Sequence, residues 1–235
     1  MKIDPDAKTP ARRIHKRGKS QKANFLSGPK LDGMVQTESR LESAAVYLGM
    51  IDPRVREIAP QPVTFDLDTG KIYGTKDDLT REYVGSGKSP RAYTPDLLFT
   101  LNCGDQVFVE TKSNWVIAKD PDSLELPARL AHFGHRLLLV TDEVITSALS
   151  YNVKLLRLHA DCVPTPPVLN AVAKLGVGPF TVVDAMQATG LGKPDIIGCI
   201  LSGALRCDIQ IHEIKPKTYL WAAGGSTAHL EILSL

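Results

Sequence analysis

Asp96, Glu110 and Lys112 are the residues whose types and spacing suit joint chemistry in this sequence. They lie in YTPDLLFTLNCGDQVFVETKS, Tyr93 to Ser113. The apolar runs Leu97–Leu101 and Val107–Val109 read as adjacent strands joined by a turn at Asn102–Asp105. Asp96 opens the first strand directly after Pro95. Glu110 and Lys112 close the second, and pleating sends both to one face. Charges at such positions need partners. A divalent cation is one: Mg²⁺ takes one or two carboxylates together with water and substrate phosphate. Asp96 and Glu110 supply that pair, and the backbone carbonyl of Thr111 offers a third oxygen. Lys112 can then orient a water, help stabilise hydroxide or offset transition-state charge. Such a set suits in-line attack on a phosphodiester. The plain alternative is a surface turn in which Lys112 pairs with Glu110 or Asp96.

The surrounding elements must hold that set. TESRLESAAVYLGMIDP, Thr37–Pro53, reads as an amphipathic helix, with Leu41, Ala44, Ala45 and Leu48 at helical spacing, Thr37 as cap and Pro53 as stop. QPVTFDLDTGKIYG reads as a strand, a glycine turn and a strand, and residues 75–92 as a polar loop ending in GSGKSP. After Lys112 come a polar stretch, a helix over Leu124–Phe133, and a buried strand in HRLLLVTDE. A short helix after Asp142 and a last strand in VKLLRLH complete an α/β domain. CVPTPP, Cys162–Pro167, is a linker by composition. Beyond it Val168–Leu175, FTVVDAMQATG and KPDIIGCILSGAL read as helices, the second ending at Gly190 and the third carrying Pro194 in its first turn. CDIQIHEIKPKTYLWAA reads as a hairpin turning at Lys215–Lys217. Three helices and a hairpin form a winged-helix pattern. The expected division is an arm over 1–36, the α/β domain over 37–160 and the winged-helix-like domain over 161–235.

The net charge of +2 conceals an asymmetry. Residues 1–40 hold ten Lys/Arg against four Asp/Glu, and Lys8 to Lys30 contains eight basic residues and no acid. Such a segment is too poor in apolar residues to pack as core. Beside a phosphodiester-cutting centre, Arg12, Arg13, Lys16, Arg17, Lys19 and Lys22 suit phosphate neutralisation on double-stranded DNA; otherwise they form a solvated tail. No apolar run reaches membrane-spanning length, and no apolar stretch follows the N-terminal charges, so a cytoplasmic protein is expected. The scattered Cys103, Cys162, Cys199 and Cys207 read as reduced thiols. The pairs His159/Cys162 and His132/His135 lack the remaining ligands of a zinc site.

Pro95, Asp96, Glu110 and Lys112 match the PD-(D/E)xK nuclease pattern. With ESRLE, Gln61–Pro62, YTPDLLF, VFVETK and LLLVTDEVITSALSYNVKLL, the chain resembles TnsA, the endonuclease subunit of heteromeric transposases, over about residues 20–160 and more loosely beyond. The resemblance implies a restriction-endonuclease-like core and a winged-helix domain. It implies a Mg²⁺-dependent endonuclease, with Mn²⁺ able to substitute, that cuts the 5′ strand at transposon ends. A TnsB-like transposase would cut the 3′ ends, and a TnsC-like ATPase would contact the C-terminal domain. It further implies that Glu42, in SRLE, joins the metal site, with Glu38 as the competing glutamate. A phage or host-defence nuclease of the same core and a non-catalytic DNA-binding adaptor are the other readings. The arm supplies a first prediction. Each neutralised phosphate adds about −0.9 to the slope of log K against log salt. Deleting residues 1–30 is expected to flatten that slope and weaken binding to every DNA sequence alike. A salt titration that gives an unchanged slope rules out the arm as a phosphate binder.

Overall fold

The computed structural model of the chain describes residues 24–235, so the six arm residues from Arg12 to Lys22 lie outside it. Within the segment read as an arm, β1 (Asn24–Leu26) pairs antiparallel with β2 (Val35–Thr37). The helix α1 (Arg40–Ile51) follows. Its capping hydroxyl belongs to Ser39 rather than Thr37: Ser39 Oγ accepts the Glu42 N–H at 3.0 Å. Thr37 instead shares a 2.7 Å hydrogen bond with Ser43 Oγ. The helix is also not amphipathic over its length. Every residue from Ser43 to Met50 is buried, which marks an interior helix.

The strand β3 (Val55–Pro60) was not expected, because a bulge between Val55 and Glu57 breaks the alternation that would reveal it. Next come β4 (Thr64–Asp66), β5 (Ile72–Tyr73), α2 (Lys76–Glu82) and β6 (Ala92–Tyr93). The first two strands form the expected hairpin, and the sheet order is β5-β4-β6. The helix α2 replaces part of the expected polar loop. Thr75 Oγ1 caps it by accepting the Asp78 N–H at 3.1 Å, and Leu79 alone is buried, so no apolar period announced it. Then follow β7 (Leu97–Leu101), β8 (Gln106–Thr111), α3 (Asn114–Lys119), α4 (Leu126–His132) and β9 (Leu137–Val140). The central sheet runs β3-β7-β8-β9; its first three strands are antiparallel, while β8 and β9 are parallel. A parallel neighbour needs a crossover, which α3 and α4 provide. Phe65, Phe108, Leu130 and Leu137 form a core cluster over this sheet, with Phe65 and Phe108 edge to face at 5.1 Å.

The chain divides into two compact units, one taking the chain to Gly49 with Arg54–Val144 and Leu235, the other Met50–Pro53 with Ile145–Ser234. The second contains α5 (Ser147–Arg157), α6 (Pro166–Ala173), β10 (Phe180–Thr181), α7 (Val182–Thr189), α8 (Lys193–Leu201), β11 (Leu205–Arg206) and β12 (Tyr219–Ala222). The expected strand VKLLRLH is mostly the second half of α5, where Leu149, Val153 and Leu156 are buried at helical spacing. The division accordingly falls near Ile145, ahead of the proline-rich segment. The helices α7 and α8 match expectation, α7 ending at Gly190 with φ of 70°. The hairpin does not. β12 pairs with β11 and β10, and the alternating stretch between Cys207 and Thr218 is a loop. Buried Asn152 holds that loop. Its Nδ2 donates to the carbonyls of Ile209 at 2.8 Å and His212 at 2.7 Å, and its Oδ1 accepts the Ile214 N–H at 2.7 Å.

The whole is mixed α/β. Among the described residues no helix is long and apolar enough to cross a membrane, and the four cysteines are free. The tightest contact of α1 generates a prediction. A Cβ on Gly49 would stand 2.8 Å from Phe99 Cζ and 2.9 Å from Ile58 Cδ1. Alanine in a helix interior ordinarily gains about 1 kcal/mol over glycine, whereas overpacking a filled core costs about 1–3 kcal/mol. Gly49→Ala is therefore expected to lower the melting temperature. A rise would mean that Phe99 and Ile58 give way freely.

Candidate metal centre

The pairing of β7 with β8 builds the site. Leu97 pairs with Val109, and one further step in that register sets Asp96 opposite Glu110. The next residues on that face, Leu98 and Phe108, pack with the Phe65 cluster, so the carboxylates continue a row that is otherwise apolar. On its other edge β8 is bonded to β9, where Glu110 pairs with Leu139 and the Lys112 N–H donates to the Val140 carbonyl at 3.1 Å. The end of β8 is thus held from both sides.

Each carboxylate has one oxygen engaged by the fold. Asp96 Oδ2 accepts the Thr111 N–H and the Thr111 hydroxyl, both at 2.8 Å. Glu110 Oε2 accepts the Tyr93 hydroxyl at 2.9 Å. Lys112 Nζ stands 3.3 Å from Glu110 Oε1. The plain ion pair is therefore present, though not on a surface turn: Glu110 is 7% exposed. Burial raises the Glu110 carboxyl to about 7, the charge of Asp96 adds to this, and Tyr93 and Lys112 oppose it. Burial also raises Asp96, against its bonds from Thr111 and the charge of Lys112. Glu42 is likewise raised to about 7, by burial first and by Asp96 second, against hydrogen bonds that include the Glu38 N–H at 2.8 Å. Glu42 therefore stands in the field of Asp96 while its Oε2 serves the turn before α1.

The structure brings together Asp96, Glu110, Thr111 and Lys112 from the expected set. It adds Glu42 electrostatically rather than as a third converging ligand: among the described residues no three His, Cys, Asp or Glu side chains form a group arranged to hold a metal ion. The remaining His and Cys candidates separate. His135 stacks near Phe65 and Phe108, at 5.2 and 5.9 Å between ring centres. His159 Nδ1 lies 3.9 Å from Cys162 Sγ on the surface.

Two residues at the site carried no assigned role in the sequence reading, although Gln61–Pro62 belongs to the resemblance. Tyr93 was visible only as the start of the motif stretch. Gln61 donates its N–H to the Asp96 carbonyl at 2.8 Å, has φ of 40°, and buries an Oε1 that has no hydrogen-bond partner. A residue before proline normally takes an extended conformation, so nothing local predicted this backbone. No protein-family profile and no curated protein matches the chain. The chemistry of the site is consequently argued from its geometry.

The electrostatics generate a prediction. The Glu110 carboxyl titrates near 7 in the fold against 4.5 when free. The protonated form is the favoured one, so its stabilising contribution is full below pH 4.5 and is lost as pH rises through about 7. In metal-free buffer the wild type is expected to lose melting temperature across that window. Glu110→Gln, neutral throughout, should lose less and keep only the slope due to Glu42 and other groups. Superimposable curves of melting temperature against pH would remove the electrostatic strain assigned to Glu110.

Proposed function

We propose that the chain is a divalent-metal-dependent DNA endonuclease with a PD-(D/E)xK core and a winged-helix-like C-terminal domain. In this reading it cuts the 5′ strand at transposon ends, beside a TnsB-like transposase and a TnsC-like ATPase. The observation that carries the nuclease reading is half-buried Asp96 and buried Glu110, one step beyond the paired residues of β7 and β8, with Lys112 on Glu110 Oε1. The donor set fits a hard cation. Asp96 acts on both Glu110 and Glu42 as a like charge, and the one ion pair here among the described residues is Lys112 with Glu110, so a divalent ion beside Asp96 and Glu110 would offset carboxylate charge. The partnerless Oε1 of Gln61, on the residue bonded to the Asp96 carbonyl, adds a buried acceptor.

Asp96 and Glu110 would hold the ion. Bound there, Mg²⁺ or Mn²⁺ would polarise the scissile phosphate and ease deprotonation of water. The chain itself supplies position and charge. Thr111 fixes the Asp96 carboxylate through two hydrogen bonds, and Tyr93 fixes that of Glu110. Lys112 presents a cation where negative charge develops on the phosphate and can orient the attacking water. Ladder bonds on both edges of β8 keep these groups in register.

The strand specificity rests on the resemblance to TnsA. For the C-terminal domain, the lack of Arg, Asn or Gln on α8 argues against base reading, and partner docking is the role proposed for it. The test is nicking of a labelled transposon end with Mg²⁺, with and without the partner transposase. Asp96→Ala is expected to abolish both ion binding by calorimetry and nicking. Lys112→Ala is expected to bind the ion yet nick at least a hundredfold more slowly, in the range typical of lost acid–base assistance. Full cutting in excess EDTA, or a wild-type rate in Lys112→Ala, would falsify the mechanism.

A further inference from the structure

Each carboxylate has one oxygen tied by neutral donors, and the other oxygen of Glu110 carries Lys112. Asp96 Oδ2 takes the N–H and hydroxyl of Thr111, and Glu110 Oε2 takes the phenol of Tyr93. We infer that Tyr93 and Thr111 are positioning residues that present Glu110 and Asp96 as single-oxygen ligands, and so set a preference for Mg²⁺ or Mn²⁺ over Ca²⁺. The inference rests on the metal-site reading given above.

The physical reason is the difference between the ions. Mg²⁺ demands six ligands near octahedral geometry and takes carboxylates through one oxygen. Ca²⁺ is larger, accepts about six to eight oxygens and readily uses both oxygens of one carboxylate. An oxygen that already accepts short hydrogen bonds has a lone pair occupied and less charge to give a metal. Tying one oxygen on each residue thus disfavours the two-oxygen mode that suits Ca²⁺, and leaves Asp96 Oδ1, with Glu110 Oε1 beside Lys112, for a small ion. Glu110 Oε1 already has Lys112 Nζ at 3.3 Å, so an ion would share that oxygen with the ammonium.

Neither donor is free to turn away. Tyr93 lies on β6, in a different sheet from Glu110, and its ring packs against the Phe65/Phe108 cluster. Thr111 acts through its backbone N–H as well as its hydroxyl, and its strand is paired on both edges.

The experiment is calorimetric titration of the full chain with MgCl₂, MnCl₂ and CaCl₂, for the wild type, Tyr93→Phe and Thr111→Val. The wild type is expected to bind Mg²⁺ and Mn²⁺ more tightly than Ca²⁺. In Tyr93→Phe the ratio of the Ca²⁺ to the Mg²⁺ dissociation constant is expected to fall about tenfold, the lower end of what a residue supporting a metal ligand contributes. Thr111→Val keeps the N–H bond and should show a smaller fall in the same direction. A merely structural role would weaken all three ions in parallel and leave the ratio where it was. A ratio unchanged in both variants overturns the inference while the metal site stands. A wild type that binds none of the three ions overturns the metal-site reading, and the inference with it.

Discussion

Two carboxylates face each other across one step of an antiparallel ladder, where little water reaches either. Side chains so placed stand about 5 Å apart. Two full charges at that distance repel by roughly 3 kcal/mol in a surface-like dielectric. Thr111, Tyr93 and Lys112 each offset part of this, since a hydrogen bond to a charged group contributes about 1.5–3 kcal/mol. They do not cancel it together with the cost of burial, because burial first and Asp96 second hold the Glu110 carboxyl near 7. A fold that keeps such a pair at the ends of two paired strands holds each carboxylate in the field of the other.

The rest of the first unit keeps that pair in place. β8 cannot shift along β7 without breaking its parallel register with β9. Face and register are coupled, since a slip of one residue would turn Glu110 and Lys112 to the opposite side of the sheet. Against the opposite face, α1 packs through Gly49 close to Phe99 and Ile58. That close approach explains why a glycine stands at position 49 of this interior helix. It also carries Glu42 into the field of Asp96 from a different element. The second unit solves a smaller problem of the same type. Asn152 satisfies three backbone groups of one loop from a single buried side chain, and so fixes a segment that no ladder holds.

What could be read without the structure follows from which interactions are local. The strands β7 and β8, their connecting turn, and the shared face of Glu110 and Lys112 were legible, because strand period and turn chemistry act within a few residues. The helices α7 and α8 were legible for the same reason, with Gly190 and Pro194 as end signals. β3 escaped because its bulge breaks the period. The stretch VKLLRLH misled because a short apolar run suits a strand and a buried helix equally, and only packing chooses between them. The alternation of DIQIHEI misled because Asn152, more than fifty residues earlier, offers its backbone an alternative partner.

The sequence by itself therefore determined the mixed α/β class and the strand positions of Asp96, Glu110 and Lys112, since strand period and the short turn between β7 and β8 act locally. The tertiary structure decided everything that depends on contacts between distant segments. Those are the bond from Tyr93 on another sheet, the left-handed Gln61 beside Asp96, the burial that raises Glu42 and Glu110, and the position of Glu42 beside Asp96. Protonation, hydrogen bonding and strain at a site are set by what surrounds each group in space, and that neighbourhood exists only after the chain has folded.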